Sequence, residues 1–192
     1  MGAPQIFKNR VQAKHSYSLS GINPLIQENG RRESPMTTDI ELFRDGLLKD
    51  LATDEAEAFL GRCRRKNYPD GRMLFAEQTE ADHLYLLISG RIDLQFELPA
   101  QKGTATLVTR SPGDAVGWST MVPPHRYRFA AVCVGPTTVL EIDRPTLQSL
   151  FYTNYHLAYI FMRNIAVLSG DRLLRVQEKL ATVLGDEAVN GW

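Results

Sequence analysis

Ala81-Asp82-His83-Leu84-Tyr85-Leu86-Leu87-Ile88-Ser89-Gly90-Arg91-Ile92 holds two strand-like runs around one glycine. Leu84 to Ile88 is a short unbroken apolar run, and Arg91-Ile92-Asp93-Leu94-Gln95-Phe96 alternates polar with apolar, so both read as β-strands. Ser89-Gly90 is a turn signal between them.

The same pattern repeats on both sides. Arg72 to Ala76, Thr104 to Val108, Arg128 to Val134 and Val139 to Ile142 are further β-type runs. Pro69-Asp70-Gly71, Pro99 to Gly103, Ser111-Pro112-Gly113-Asp114 and Gly135-Pro136 separate them. Such regular spacing predicts a mainly β fold with flanking helices: a sandwich, roll or barrel. Ahead of it, Ile40, Phe43, Leu47, Leu48 and Leu51 recur at helical spacing, and Thr53 stands where it would cap a second helix bearing Ala56, Phe59, Leu60 and Cys63. Behind it, Asp143 is placed to cap a short helix through Leu147 and Leu150, and a long helix follows from about Tyr155 to Leu184.

In the long helix Met162, Ala166, Ser169, Leu173, Val176, Leu180 and Val183 alternate spacings of four and three, the seam of a coiled coil. A homodimer through this C-terminal helix is the expectation. Phe161, Ile165 and Leu168 form a second stripe that can pack on the roll. The expected organisation is an N-terminal extension over 1–38, poorly ordered or added, then the roll over 39–154, then the dimerisation helix and tail over 155–192.

Twenty-two basic and 22 acidic side chains give a net charge of +0 and no broad electrostatic footprint for nucleic acid. The one dense basic run, Arg62, Arg64, Arg65 and Lys66, reads as a solvated helix end. No apolar run is long enough to span a bilayer, and the N-terminus lacks a secretory signal, so a cytoplasmic protein without membrane contact is expected. Cys63 on a helical pattern and Cys133 on a strand pattern read as buried thiols. His15, His83, His125 and His156 are scattered without an H-x-H pair, and no metal site is expected. Neither a Gly-x-Ser-x-Gly elbow nor a Walker loop is present, so the chain does not read as an enzyme.

The order of elements and two motifs resemble the cyclic-nucleotide-binding family of the catabolite-activator type. Ala81 to Ile92 resembles that family's strand-turn-strand signature, whose glycine, here Gly90, occupies a tight hairpin that a side chain would obstruct, and Pro112-Gly113-Asp114-Ala115-Val116-Gly117 its P-G-D-x-x-G entry to the phosphate-binding cassette. The resemblance implies a double-stranded β-helix (a jelly-roll-like β-roll) of about eight strands, with N-terminal helices and a long C-terminal helix. Gly117-Trp118-Ser119-Thr120-Met121-Val122-Pro123-Pro124 is similar to the cassette of standalone bacterial members that lack the DNA-binding helix-turn-helix. With only a few residues after Leu184, no direct DNA binding is expected.

The resemblance implies a ligand site at Gly117, Trp118, Ser119, Thr120, Arg126, Tyr127, Arg128 and Arg172, taking cAMP, cGMP or another small anionic ligand. A short helix from Gly117 would aim main-chain N–H groups at an anion, and the missing Cβ there would let a phosphate approach. Trp118 stands where the family has a glutamate for the ribose 2′-hydroxyl, and an indole donates one hydrogen bond but accepts none. The family's phosphate-binding arginine falls on Arg128 when counted from Gly117, and on Tyr127 when counted back from Glu141-Ile142. One step along a strand turns a side chain to the opposite face. If Tyr127 faces the pocket, Arg126 and Arg128 face away; this register is favoured, since the standalone members also have Tyr there. The loop Glu77-Gln78-Thr79-Glu80 lacks the family's glycine and must be shaped differently. Arg172 either caps a ligand or pairs at the surface with Asp171 or Glu178. Two functions compete: a sensor signalling through its dimer helix, and a degenerate interaction module that binds no ligand, its pocket filled by Trp118 or Arg128, acting on an unidentified protein partner.

Overall fold

The computed structural model describes residues 35–98 and 103–190, without the side chains of 35, 36, 179 and 183–190. The expected extension therefore lies outside the described residues through position 34, as does the Val183 side chain. Helices α1 (Pro35–Phe43) and α2 (Thr53–Leu60) precede strands β1 (Arg64–Tyr68), β2 (Met73–Phe75), β3 (His83–Leu98), β4 (Gly103–Arg110) and β5 (Ala115–Val116). A 3₁₀ turn (Trp118–Met121) leads to β6 (Ala130–Asp143), α3 (Arg144–Thr153) and α4 (Tyr155–Asn190). The sheet is antiparallel in the order β1-β6-β3-β4, with β2 also paired to β6 and β5 to β3.

Among the described residues six strands stand where about eight short ones are expected, because two pairs run on through their glycines. Gly90 does not close a hairpin: β3 stays paired to β6 on both sides of it, Leu87 opposite Val139 and Ile92 opposite Cys133. It bends the strand instead, at φ 87°, against a matching bend at Gly135, φ 75°. A Cβ on Gly90 would sit 2.6 Å from the Pro136 carbonyl oxygen and 2.6 Å from Thr137 Oγ1.

Period-two alternation along β3 divides the core. Tyr85 and Leu87 point into the roll with Phe75, Ile92, Val116 and Tyr127, while Leu84 and Leu86 face Phe43, Phe59, Leu157 and Phe161 on the helices. Both faces are covered, which is why the apolar run is unbroken.

Local chemistry sets the element ends. Asp143 Oδ1 accepts the Thr146 N–H at 2.9 Å and caps α3, and this bond holds the Asp143 carboxyl below its ordinary range. Ala52 rather than Thr53 is the cap residue of α2, because the Glu55 carboxylate reaches back to the Ala52 N–H at 3.3 Å. The basic run is not a helix end either. Gly61 closes α2, and Arg64, Arg65 and Lys66 lie on β1, an exposed edge strand, where charge blocks further strand pairing.

The first half of α4 is pinned to the N-terminal helices. His156 Nδ1 lies 2.9 Å from Glu55 Oε1, and Asn164 Nδ2, on a residue only 4% exposed, donates to the carbonyls of Leu47 (3.0 Å) and Lys49 (2.7 Å). Past Ile165 the helix leaves the core, and Val167, Leu173, Leu174, Val176 and Leu180 are exposed. Tyr155 and Tyr159, also exposed, extend the spacing of four and three upstream from Met162.

Gly90→Ala should lose roughly 3 kcal/mol or more in urea unfolding, from positive φ plus the clash at β6. Gly135→Ala, where nothing lies within 4 Å of an added Cβ, should lose only about 1–2 kcal/mol. Equal losses would remove the crowding at Gly90 as the reason for this residue.

Candidate functional site

The cassette hangs on Tyr127. Its ring is 2% exposed and stacks on Phe75 with centroids 3.7 Å apart and planes 12° from parallel. The hydroxyl donates to the His83 carbonyl at 2.8 Å and accepts the His83 N–H at 3.0 Å. Burial pushes this phenol up to about 12, so it stays neutral.

Gly117 is left-handed at φ 86° and starts the 3₁₀ turn. The space its Cβ would need is taken by the His83 carbonyl oxygen at 2.7 Å and the Tyr127 ring at 3.3 Å. Glycine is thus required here by the protein's own packing, which corrects the reading that it clears room for a phosphate. Thr120 is fully buried, with Oγ1 2.8 Å from the His83 carbonyl and 2.7 Å from that of Gly117. It braces the turn and does not line the cavity.

The glycine-free loop finds its shape through Gln78, which takes a left-handed φ of 62°. Its N–H donates to the Tyr127 carbonyl at 2.8 Å, and the Tyr127 N–H to Thr79 at 3.0 Å. Arg126 is exposed and donates to the Gln78 carbonyl at 2.7 Å, away from the cavity. Arg128 departs from the strand-alternation reading. β6 begins only at Ala130, and 128–129 is a bend, so Tyr127, Arg128 and Phe129 all reach the cavity wall.

That cavity, of about 820 Å³, lies between the cassette, the roll and α4. Gly117, Trp118, Ser119 and Tyr127 form the cassette wall, and Phe75, Leu94, Leu107, Val108 and Phe129 the roll wall. Ser169, Arg172, Leu173, Arg175 and Val176 come from α4. Ser169, Leu173 and Val176, expected at the dimer seam, thus also border the cavity; Leu173 is 59% and Val176 48% exposed.

Four arginines, Arg110, Arg128, Arg172 and Arg175, line this space, and among the described residues no Asp or Glu does. Arg172 does not pair with Asp171 or Glu178; its Nη2 donates to the Ala115 carbonyl at 3.2 Å. Burial, reinforced by the Arg110 charge, pushes Arg172 down to about 10, and burial also lowers Arg110. Arg110 and Arg175 escape a reading of the sequence, although Arg172 and Arg175 share a helix face by their spacing of three. Among the described residues, no group of three His, Cys, Asp or Glu converges as a metal set, and no helix is long and apolar enough to cross a membrane.

The roll, the glycine-led cassette and the long C-terminal helix thus border a cavity open to solvent on one side. The family model of the cyclic nucleotide-binding domain matches residues 65–154. A cyclic AMP receptor protein of Thermus thermophilus is 28% identical over 145 residues, 75% of this chain and 64% of that protein. The crystal structure of Thermus thermophilus catabolite activator protein matches with a TM-score of 0.63 at 25% identity, over 74% of this chain and 64% of that one. A cyclic nucleotide-binding domain from Methylobacillus flagellatus, 18% identical, shares the fold with a TM-score of 0.69 over 77% of this chain and 83% of its own. Over residues 65–154 this chain is thus similar to cyclic-nucleotide-binding regulators of the catabolite-activator type, and it spans just under two thirds of the Thermus relative's length.

Tyr127→Phe keeps the stack on Phe75 and leaves both main-chain groups of His83 without this partner. It should cost about 1–3 kcal/mol in urea unfolding; a variant as stable as the parent would show that the hydroxyl does not hold the cassette.

Proposed function

We propose that this protein is a regulatory sensor, not an enzyme, that takes a small anionic or nucleotide-like ligand into the cavity between cassette and α4. The observation that carries the reading is a roomy cavity bordered, among the described residues, by four arginines and no acidic residue. An anion brings the charge such a site lacks. The Thermus relative's name, a cyclic AMP receptor, supports a cyclic nucleotide as one candidate.

The cassette diverges from the family's at two positions. Trp118 offers no acceptor to a ribose hydroxyl, and Tyr127 occupies one of the two places on which the phosphate-binding arginine falls, its hydroxyl already engaged by His83. These changes favour ligands other than cAMP. Binding would act on the second half of α4, whose exposed seam suits a second copy of the chain.

Thermal unfolding against cAMP, cGMP, cyclic dinucleotides and small organic acids tests the sensor. A ligand at a hundred times its dissociation constant should stabilise the fold by about 2.7 kcal/mol; no shift with any of them would overturn the reading in favour of an interaction module without a ligand. Tyr159→Glu combined with Leu180→Glu should give monomers in light scattering where the parent is a dimer. A double variant with the parent's mass would exclude the seam as the interface.

A further inference from the structure

The positive charge of the cavity is unevenly placed. Arg110 ends β4 and Arg172 and Arg175 lie one helical turn apart on α4, so three guanidinium groups gather where the roll meets the helix. One carboxylate serves them: Asp114 Oδ1, 3.9 Å from Arg110 Nη1, while Asp114 Oδ2 accepts the Ser111 N–H. The Arg110 side chain is 13% exposed, and its buried Nε has no hydrogen-bond partner. Mutual repulsion shows in Arg172, which the charges of Arg110 and Arg175 help to depress beyond the effect of burial. Two partly buried guanidinium groups, Arg110 and Arg172, with the exposed Arg175 beside them and one buried donor unused, call for an oxyanion, which their planar forks match. The remaining walls are apolar and aromatic: Phe75, Leu94, Val108, Trp118, Tyr127 and Phe129.

We infer that Arg110, Arg172 and Arg175 hold the charged end of the ligand, and that the ligand is an organic acid with a flat apolar body bearing a carboxylate or a phosphate ester. The inference rests on the cavity being a ligand site and adds where its charge is read. The anion then bridges β4 to α4 directly, and occupancy draws the unpinned half of the helix toward the roll.

Isothermal titration of the full chain with 2-naphthoate, 2-naphthyl phosphate, the uncharged 2-naphthalenemethanol and cAMP tests this. Both naphthyl anions should bind more tightly than the alcohol, and whichever binds tighter identifies carboxylate or phosphate as the better match. Arg172→Gln should weaken the anions about tenfold or more while leaving the alcohol unchanged, and Arg172→Lys should recover part of the loss. Arg175→Gln, at an exposed position, should weaken the anions in the same direction without risk to the core, and Arg126→Gln, which points away, should not weaken them. Anion binding unaffected by Arg172→Gln and Arg175→Gln, or alcohol binding as tight as the acids, would overturn the inference and spare the sensor. Binding of cAMP alone, insensitive to these variants, would do the same. Failure of all four compounds to bind would remove both the inference and the ligand reading beneath it.

Discussion

The clasp between Tyr127 and His83 is the constraint on which the site depends. A single phenol is wedged against Phe75 and satisfies both main-chain groups of the residue that opens β3. Because the His83 carbonyl also meets Thr120 Oγ1 and crowds Gly117, the same clasp fixes the handedness of the cassette turn. The turn therefore owes its shape to packing within the protein. With the phenol closing the floor of the cavity, positive charge is presented from its sides, by Arg128 on one segment and by Arg110, Arg172 and Arg175 on others.

α4 combines two mechanical halves. Up to Ile165 it is part of the core, tied through Asn164 and His156 to the segments around α1 and α2. Beyond that point it touches the cavity through Ser169, Arg172, Leu173, Arg175 and Val176 and exposes apolar Val167, Leu174 and Leu180 together with charged Asp171 and Glu178. A helix fixed at one end and bordered by a charged cavity at the other is suited to turn occupancy into a change of helix position. On the proposed reading, Leu173 and Val176 belong at once to the cavity rim and to the face that meets a second copy, so the two events share side chains.

Much of the fold was legible because its signals are local. Glycine-punctuated apolar runs identify a mainly β fold, and Asp143 identifies the start of α3, since alternation and capping act within a few residues. The strand count was not legible, because Gly90 and Gly135 bend continuous strands, and only their mutual approach across β3 and β6 distinguishes a bend from a turn. β1 was hidden for another reason: Arg64 to Asn67 are all exposed and leave no period to read. In the site, strand alternation could not locate Arg128, because the chain bends at 128–129 before β6 begins. Arg110 and Arg175 needed the third dimension, as nothing along the chain tells which turn of α4 lies over the end of β4.

The most direct measurement is a nuclear magnetic resonance titration of isotope-labelled protein with 2-naphthyl phosphate, following the Trp118 indole N–H and the amides of residues 169–176. A ligand seated between cassette and helix moves both sets of signals along one binding curve and leaves the edge strand at 64–68 unchanged. Movement of the Trp118 signal with the α4 amides still, or shifts confined to the exposed outer face of α4, would contradict a cavity that links the roll to its long helix.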